Sequence, residues 1–206
     1  MRAASNAVIR PAHVFPGASI RPSAKWGFPR GSSRTVAPTI LLVVHITRIQ
    51  ADGPPLLEAV EEAGACESDD REVSFTFVND RGGGTVQCLD PLRQAPWTNG
   101  RLALANLSIP TIADIVAEGR NANERCLMTV ENVGNEALGL PITEAQIRTI
   151  AAQAAWGSRL SGLPINETTV IGHADLDAQT KHLCPTGGNL RALLARIIIL
   201  ANEIID

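Results

Sequence analysis

Three observations predict an α/β fold: a single domain with a central mixed β-sheet flanked by helices. The first is the run Thr39-Ile40-Leu41-Leu42-Val43-Val44-His45-Ile46-Thr47, whose length and β-branched character read as a buried strand. The second is the alternation of strand-like runs with amphipathic helical patterns along the rest of the chain. The third is size, since 206 residues at 45% hydrophobic content suffice for one domain with a real core.

Ahead of that domain, assigned to residues 38–206, residues 1–37 read as an irregular basic arm. Pro, Gly, Ser and Arg dominate it and disfavour both helix and strand, with Trp26 and Phe28 as the expected anchors. The first fifty residues carry Arg2, Arg10, Arg21, Lys25, Arg30, Arg34 and Arg48 and no acid. Such an arm could touch an anionic polymer, while the simpler reading is a solvated extension. Pro11, His13, Pro16 and Gly17 interrupt any apolar stretch at the start, so no secretory signal is expected.

After the first strand, Asp52-Gly53-Pro54-Pro55 leads into a short helix over Leu56 to Ala63, stopped by Gly64. Glu72 to Val78 alternates as a strand, Asn79 to Gly84 supplies a turn, and Thr85 to Leu89 returns as a hairpin partner. The three glycines of that turn are not a phosphate loop, because no Gly-Lys-Ser/Thr ending and no helix follow. Thr111 to Glu118 reads as a helix capped by Thr111 with Asp114 three residues on. Cys126 to Val133 is the next strand. Thr143-Glu144-Ala145-Gln146 is a capping-box pattern that opens a helix to about Leu160. Thr168 to Gly172 is a short strand, and Asn189 caps a last helix whose Leu190, Leu193, Leu194, Ile197, Ile198 and Ile204 repeat as a core stripe.

A net charge of -3 gives no general reason to expect nucleic acid or an acidic membrane as partner. No apolar run is long enough to span a bilayer, so the chain is expected to be soluble in the cytoplasm where it is made, as a monomer. Cys66, Cys88, Cys126 and Cys184 form no C-x-x-C pair and no dense pattern, which excludes a disulfide scaffold.

The chemistry concentrates in Ile171-Gly172-His173-Ala174-Asp175 and Lys181-His182-Leu183-Cys184-Pro185-Thr186-Gly187. His173 follows a short apolar run, and Cys184 stands on a Pro/Gly-rich turn that an intervening loop can fold back to meet it. Both are good zinc ligands, and a catalytic site needs a third protein ligand with the fourth position open to water. His45, at the end of the most apolar run, is the best candidate, because a histidine buried in such a strand needs a polar partner or a metal. Read alone, it would be a hydrogen-bonded core residue.

The order of Val43-Val44-His45-Ile46-Thr47, Ser74-Phe75-Thr76-Phe77-Val78-Asn79-Asp80-Arg81-Gly82-Gly83-Gly84-Thr85-Val86, Val130-Glu131-Asn132-Val133-Gly134, Thr143-Glu144-Ala145-Gln146, Gly172-His173-Ala174-Asp175 and Cys184-Pro185 resembles the type 2 N-acetylmuramoyl-L-alanine amidases, which include phage endolysins and peptidoglycan recognition proteins. The resemblance spans about Pro38 to Gly187. It implies one zinc ion on His45, His173 and Cys184, and hydrolysis of the amide between N-acetylmuramic acid and L-alanine in peptidoglycan or muropeptides.

The same resemblance implies Glu131 as general acid/base, and a cationic or polar donor for the oxyanion at His182, with Lys181 one step earlier as the other candidate. Phe75, Thr76 and Trp97 are expected to line the substrate groove. Many relatives carry a tyrosine where this chain has Phe75, and the sequence contains no tyrosine at all. A phenyl ring moves no proton, which places that burden on Glu131. Asp175 is expected to orient His173 or its loop rather than join the metal set. A single-domain endolysin made in the cytoplasm and acting on the cell wall is the functional expectation. A cytosolic muropeptide-recycling amidase, a peptidoglycan-binding module without catalysis and a structural phage component are the other readings.

Overall fold

Two parallel strands form the middle of the computed structural model, which describes residues 11–21, 28–29, 37–46, 74–98, 102–134, 140–186 and 188–205. Ile40–Ile46 (β3) is buried at every position, and Cys126–Asn132 (β7) runs beside it with Ile40 opposite Cys126 and Ile46 opposite Asn132. Val170–Gly172 (β8) pairs in parallel with the other edge of β3, and Phe77–Asn79 (β4) pairs in parallel with β7. Thr85–Gln87 (β5) returns antiparallel to β4 as the expected hairpin, and Ser19–Ile20 (β1) adds a short parallel edge to β5. The sheet order is β1-β5-β4-β7-β3-β8, mixed as the sequence predicts. A separate antiparallel pair joins Phe28–Pro29 (β2) to Gln94–Ala95 (β6).

Successive side chains of a strand point to opposite faces, so the sheet has two cores. On one face Leu42, Val44, Phe77, Met128, Val130 and Val170 pack under two long helices, Glu144–Ser161 (α3) and Leu190–Ile205 (α6). On the other, Val43 and Ile171 meet Ile112 and Ile115 of Pro110–Ala117 (α1), Ala122 of Ala122–Arg125 (α2) and Leu176 of His173–Leu176 (α4). A final short helix, Ala178–Lys181 (α5), follows α4.

The helix ends obey local chemistry. Thr143 and Gln146 form the capping box predicted for α3, and Gly162 closes that helix in the left-handed conformation at φ 75°. The Asn189 Oδ1 accepts the Ala192 N–H at 3.0 Å, capping α6. Thr111 does not cap α1. That helix starts one residue earlier at Pro110, whose fixed φ and missing N–H suit the first helical position, and the Thr111 hydroxyl donates instead to the Thr168 carbonyl at 2.5 Å.

Part of the expected irregular arm is tied into the domain. The Ala12 and His13 N–H groups donate to Asp90 Oδ2 at 2.8 and 3.2 Å, and Gln87 accepts from the Phe15 N–H and donates to the His13 carbonyl. Burial works to raise the Asp90 pKa, but hydrogen bonds from Ala12, His13 and Leu92 outweigh it and hold the carboxyl below its ordinary value. Phe15 sits edge-on to Phe77 and Trp156, with ring centroids 5.6 and 5.8 Å away. The predicted helix Leu56–Ala63, the anchor Trp26 and Cys66 lie outside the described residues, and of Phe28 only the backbone is described. Among the described residues no helix is long and apolar enough to cross a membrane.

Candidate metal site

Three buried side chains from distant parts of the chain meet at the carboxyl end of the parallel strands. His45 is the penultimate residue of β3, and His173 is the first residue after β8. The short helices α4 and α5 then turn the chain back, and the Cys184 carbonyl accepts the Ala174 N–H at 2.8 Å, seating Cys184 beside His173. The pairing of β3 with β8 ends at Val44 opposite Gly172. Beyond that end the Ile46 N–H donates to Cys184 Sγ at 3.4 Å, across 138 residues of sequence. The potential ligand atoms of His45, His173 and Cys184 all lie within 4.8 Å of one another, and the two imidazole centroids are 4.3 Å apart.

Protonation suits a cation here. Burial, reinforced by the charge of Lys181 and opposed by Asp177, pushes the His173 pKa down to about 4, so the ring is neutral at physiological pH with a lone pair to give. The Ile46 N–H fixes the Cys184 sulfur at the end of β3, on the side of the two imidazoles. Two imidazoles and one cysteine sulfur within reach of a common centre form a three-ligand donor set well suited to zinc, and the residues present fit that ion.

Around this cluster the other expected site residues divide. Glu131 of β7 is in register with His45, so its side chain emerges on the same face of the sheet next to it, and it is buried. The Phe75 ring stands edge-on to His45 at 5.8 Å. Thr76 is fully buried: its N–H donates to the Thr129 carbonyl at 3.2 Å and its hydroxyl accepts the Thr129 N–H at 3.1 Å, which stitches the chain to β7 rather than facing an open groove. Trp97 is half-buried and held by a pair of backbone hydrogen bonds to Ser74, the residue next to Phe75. Lys181 and His182 are both exposed at the end of α5, and it is the Lys181 charge that is felt at His173.

The two aspartates organise the loop. Asp175 accepts the Gly172 N–H at 3.0 Å and pairs with Arg191 of α6, while Asp177 caps α5 by accepting the Thr180 N–H at 2.9 Å. Sequence reasoning missed Arg191 and a set of buried amides behind His45. The Asn132 side chain donates to the His45 carbonyl at 2.8 Å. The available signal was an asparagine closing an otherwise apolar strand face.

A family model described as N-acetylmuramoyl-L-alanine amidase matches residues 36–187. Among solved structures the chain is similar to a selenomethionine derivative of AmpD, at 19% identity and a TM-score of 0.59 over 88% of this chain and 94% of that one. It is also similar to a point mutant of PlyL, at 16% identity and a TM-score of 0.54 over 82% and 88% of the two chains. A mutant endolysin from Bacillus subtilis aligns at 16% identity and a TM-score of 0.50 over 87% of this chain and 99% of that one. At such identities these likenesses establish the shared fold. No individual curated protein matches by sequence.

Proposed function

Because the chain belongs to the N-acetylmuramoyl-L-alanine amidase family, type 2, we propose that it is a zinc-dependent hydrolase of the amide between the lactyl group of N-acetylmuramic acid and L-alanine, acting on peptidoglycan or its soluble muropeptides. The observation that carries the zinc reading is the convergence of His45, His173 and Cys184, buried and within 4.8 Å. These three would hold the ion. When bound, it supplies Lewis acidity toward the scissile carbonyl and toward water, whose pKa such sites bring to about 7.

The chain's own groups do the rest. Glu131, in register with His45, takes the proton released by the attacking water and returns it to the nitrogen of the departing L-alanine. Lys181, whose charge reaches His173, is our candidate to meet the negative charge that develops on the carbonyl oxygen, with His182 beside it as the other. Phe75 has no ionisable group and walls the His45 side of the cluster. The family supports a role in cell-wall lysis, and we read the chain as made in the cytoplasm and acting on the wall.

The test is amide cleavage of purified sacculi, read as new L-alanine amino termini, for wild type, Cys184→Ser and Glu131→Gln, with metal analysis of each. Cys184→Ser loses zinc and activity. Glu131→Gln keeps zinc and loses turnover by about 10²–10⁴-fold. Full activity in Glu131→Gln would remove the acid/base assignment. Tight binding of sacculi by wild type without any release of amino termini would make the chain a wall-binding module instead.

A further inference from the structure

We propose that Asn132, Asn79 and Gln153 are positioning residues, a buried amide relay that fixes the spacing of His45 and Glu131 from behind the sheet. The proposal rests on the reading of this site as a metal-dependent amidase. It starts from sheet register. On the face covered by α3, one row across the strands is Gln87, Phe77, Val130 and Val44, all without solvent exposure and apolar in β4, β7 and β3. The next row toward the site on that face is Thr85, Asn79, Asn132 and Ile46. In β4 and β7 the side chains therefore switch from apolar to amide at the last paired row, one residue beyond His45 and Glu131 in their own strands.

The row is closed by hydrogen bonds. Asn132 Nδ2 donates to the His45 carbonyl at 2.8 Å, and Asn132 Oδ1 accepts from Asn79 Nδ2 at 3.1 Å. Asn79 and Gln153 exchange two bonds, at 3.2 and 2.9 Å, and the Thr85 hydroxyl donates to Asn79 Oδ1 at 2.6 Å. Asn79, Asn132 and Gln153 are fully buried. Apolar side chains at positions 79 and 132 would pack here as Phe77 and Val130 do, and each buried amide left unsatisfied would destabilise the fold. Complete satisfaction makes the row tolerable, and it gives what apolar contact does not: directional bonds that set position along the strand. The Asn132 rung ties the carbonyl of His45 to the residue that follows Glu131. One group thus holds together the two strand ends that carry the ligand and the acid/base.

The experiment compares Asn132→Asp with Thr85→Val. The first is nearly isosteric and replaces the donor facing the His45 carbonyl with an acceptor. The second removes a bond at the far end of the relay without touching His45. Zinc affinity is measured by competition with a chromophoric chelator, and amide exchange of Ile46 is followed in the metal-free chain. Unfolding free energies of both variants are taken alongside. Asn132→Asp is expected to weaken zinc binding by about 10- to 100-fold and to speed Ile46 exchange, while Thr85→Val leaves both near wild type at a similar loss of stability. If Asn132→Asp does not fold, Asn132→Ser, too short to reach the carbonyl, replaces it. Unchanged affinity in the Asn132 variant, or an equal loss in Thr85→Val, overturns the relay. A wild-type chain that takes up no zinc overturns the metal reading itself, which the first arm of the titration reveals separately.

Discussion

The protonation of His173 gives a stability prediction whose size follows from burial. An ordinary histidine titrates near 6.5, and the folded environment brings His173 to about 4 through desolvation, with Lys181 adding to the effect. Between those values the unfolded chain binds a proton that the folded chain refuses, so the unfolding free energy rises with pH across this window. The full stability is present above about pH 6.5 and is lost as pH falls toward 4. At about 1.4 kcal/mol per tenfold change in proton affinity, the loss at pH 4 amounts to about 3 kcal/mol. The assay is urea unfolding of the chelator-treated chain at pH 7.5 and pH 4, for wild type and His173→Gln. Carboxylates such as Asp90, also held below its ordinary value, titrate in both proteins and cancel in the comparison. Wild type should lose about 3 kcal/mol more than His173→Gln. Equal losses would show that His173 is not desolvated in the fold, and the argument for a neutral, ligating imidazole would fail.

Two further outcomes follow from the same contacts. Lys181→Met should raise the His173 pKa above about 4 in the metal-free chain, visible in the imidazole resonances, and lower kcat by about 10² if Lys181 meets the developing charge. An unmoved resonance, or a loss confined to His182→Ala, would transfer that role to His182. Phe15→Ala should cost about 3 kcal/mol of unfolding free energy, because the ring is wedged against Phe77 and Trp156, whereas a solvated arm would lose almost nothing.

What the sequence makes legible here is whatever repeats with a period or obeys a strong local rule. The run that became β3 and the capping box that opens α3 are of this kind. Of the pieces of two to four residues, β4, β5 and β8 lie in longer strand-like runs, whereas β1, β2, β6, α2, α4 and α5 carry no period to read and exist because neighbours hold them. Thr111 misled for a related reason: a hydroxyl followed by Asp114 imitates a cap, but Pro110 one position earlier starts the helix with no side-chain bond. The cluster of His45, His173 and Cys184 was legible as residue types and as a family order of motifs. Its geometry was not, since Cys184 reaches the end of β3 only through the turn after α5 and the Ile46 N–H. The amide row was illegible because its members look ordinary alone, with Asn79 resembling a turn residue, and only sheet register places them together. Thr76 shows the converse, a residue adjacent to the site in sequence whose hydrogen bonds all turn into the sheet.

The central claim is that His45, His173 and Cys184 share one zinc ion, and X-ray absorption at the zinc edge of the loaded protein tests it most directly. One ion per chain is expected, with one sulfur at about 2.3 Å and two imidazole nitrogens at about 2.0 Å, and no stoichiometric zinc in Cys184→Ser. A chain that takes up no stoichiometric zinc, or a shell without sulfur in the wild type, would contradict it.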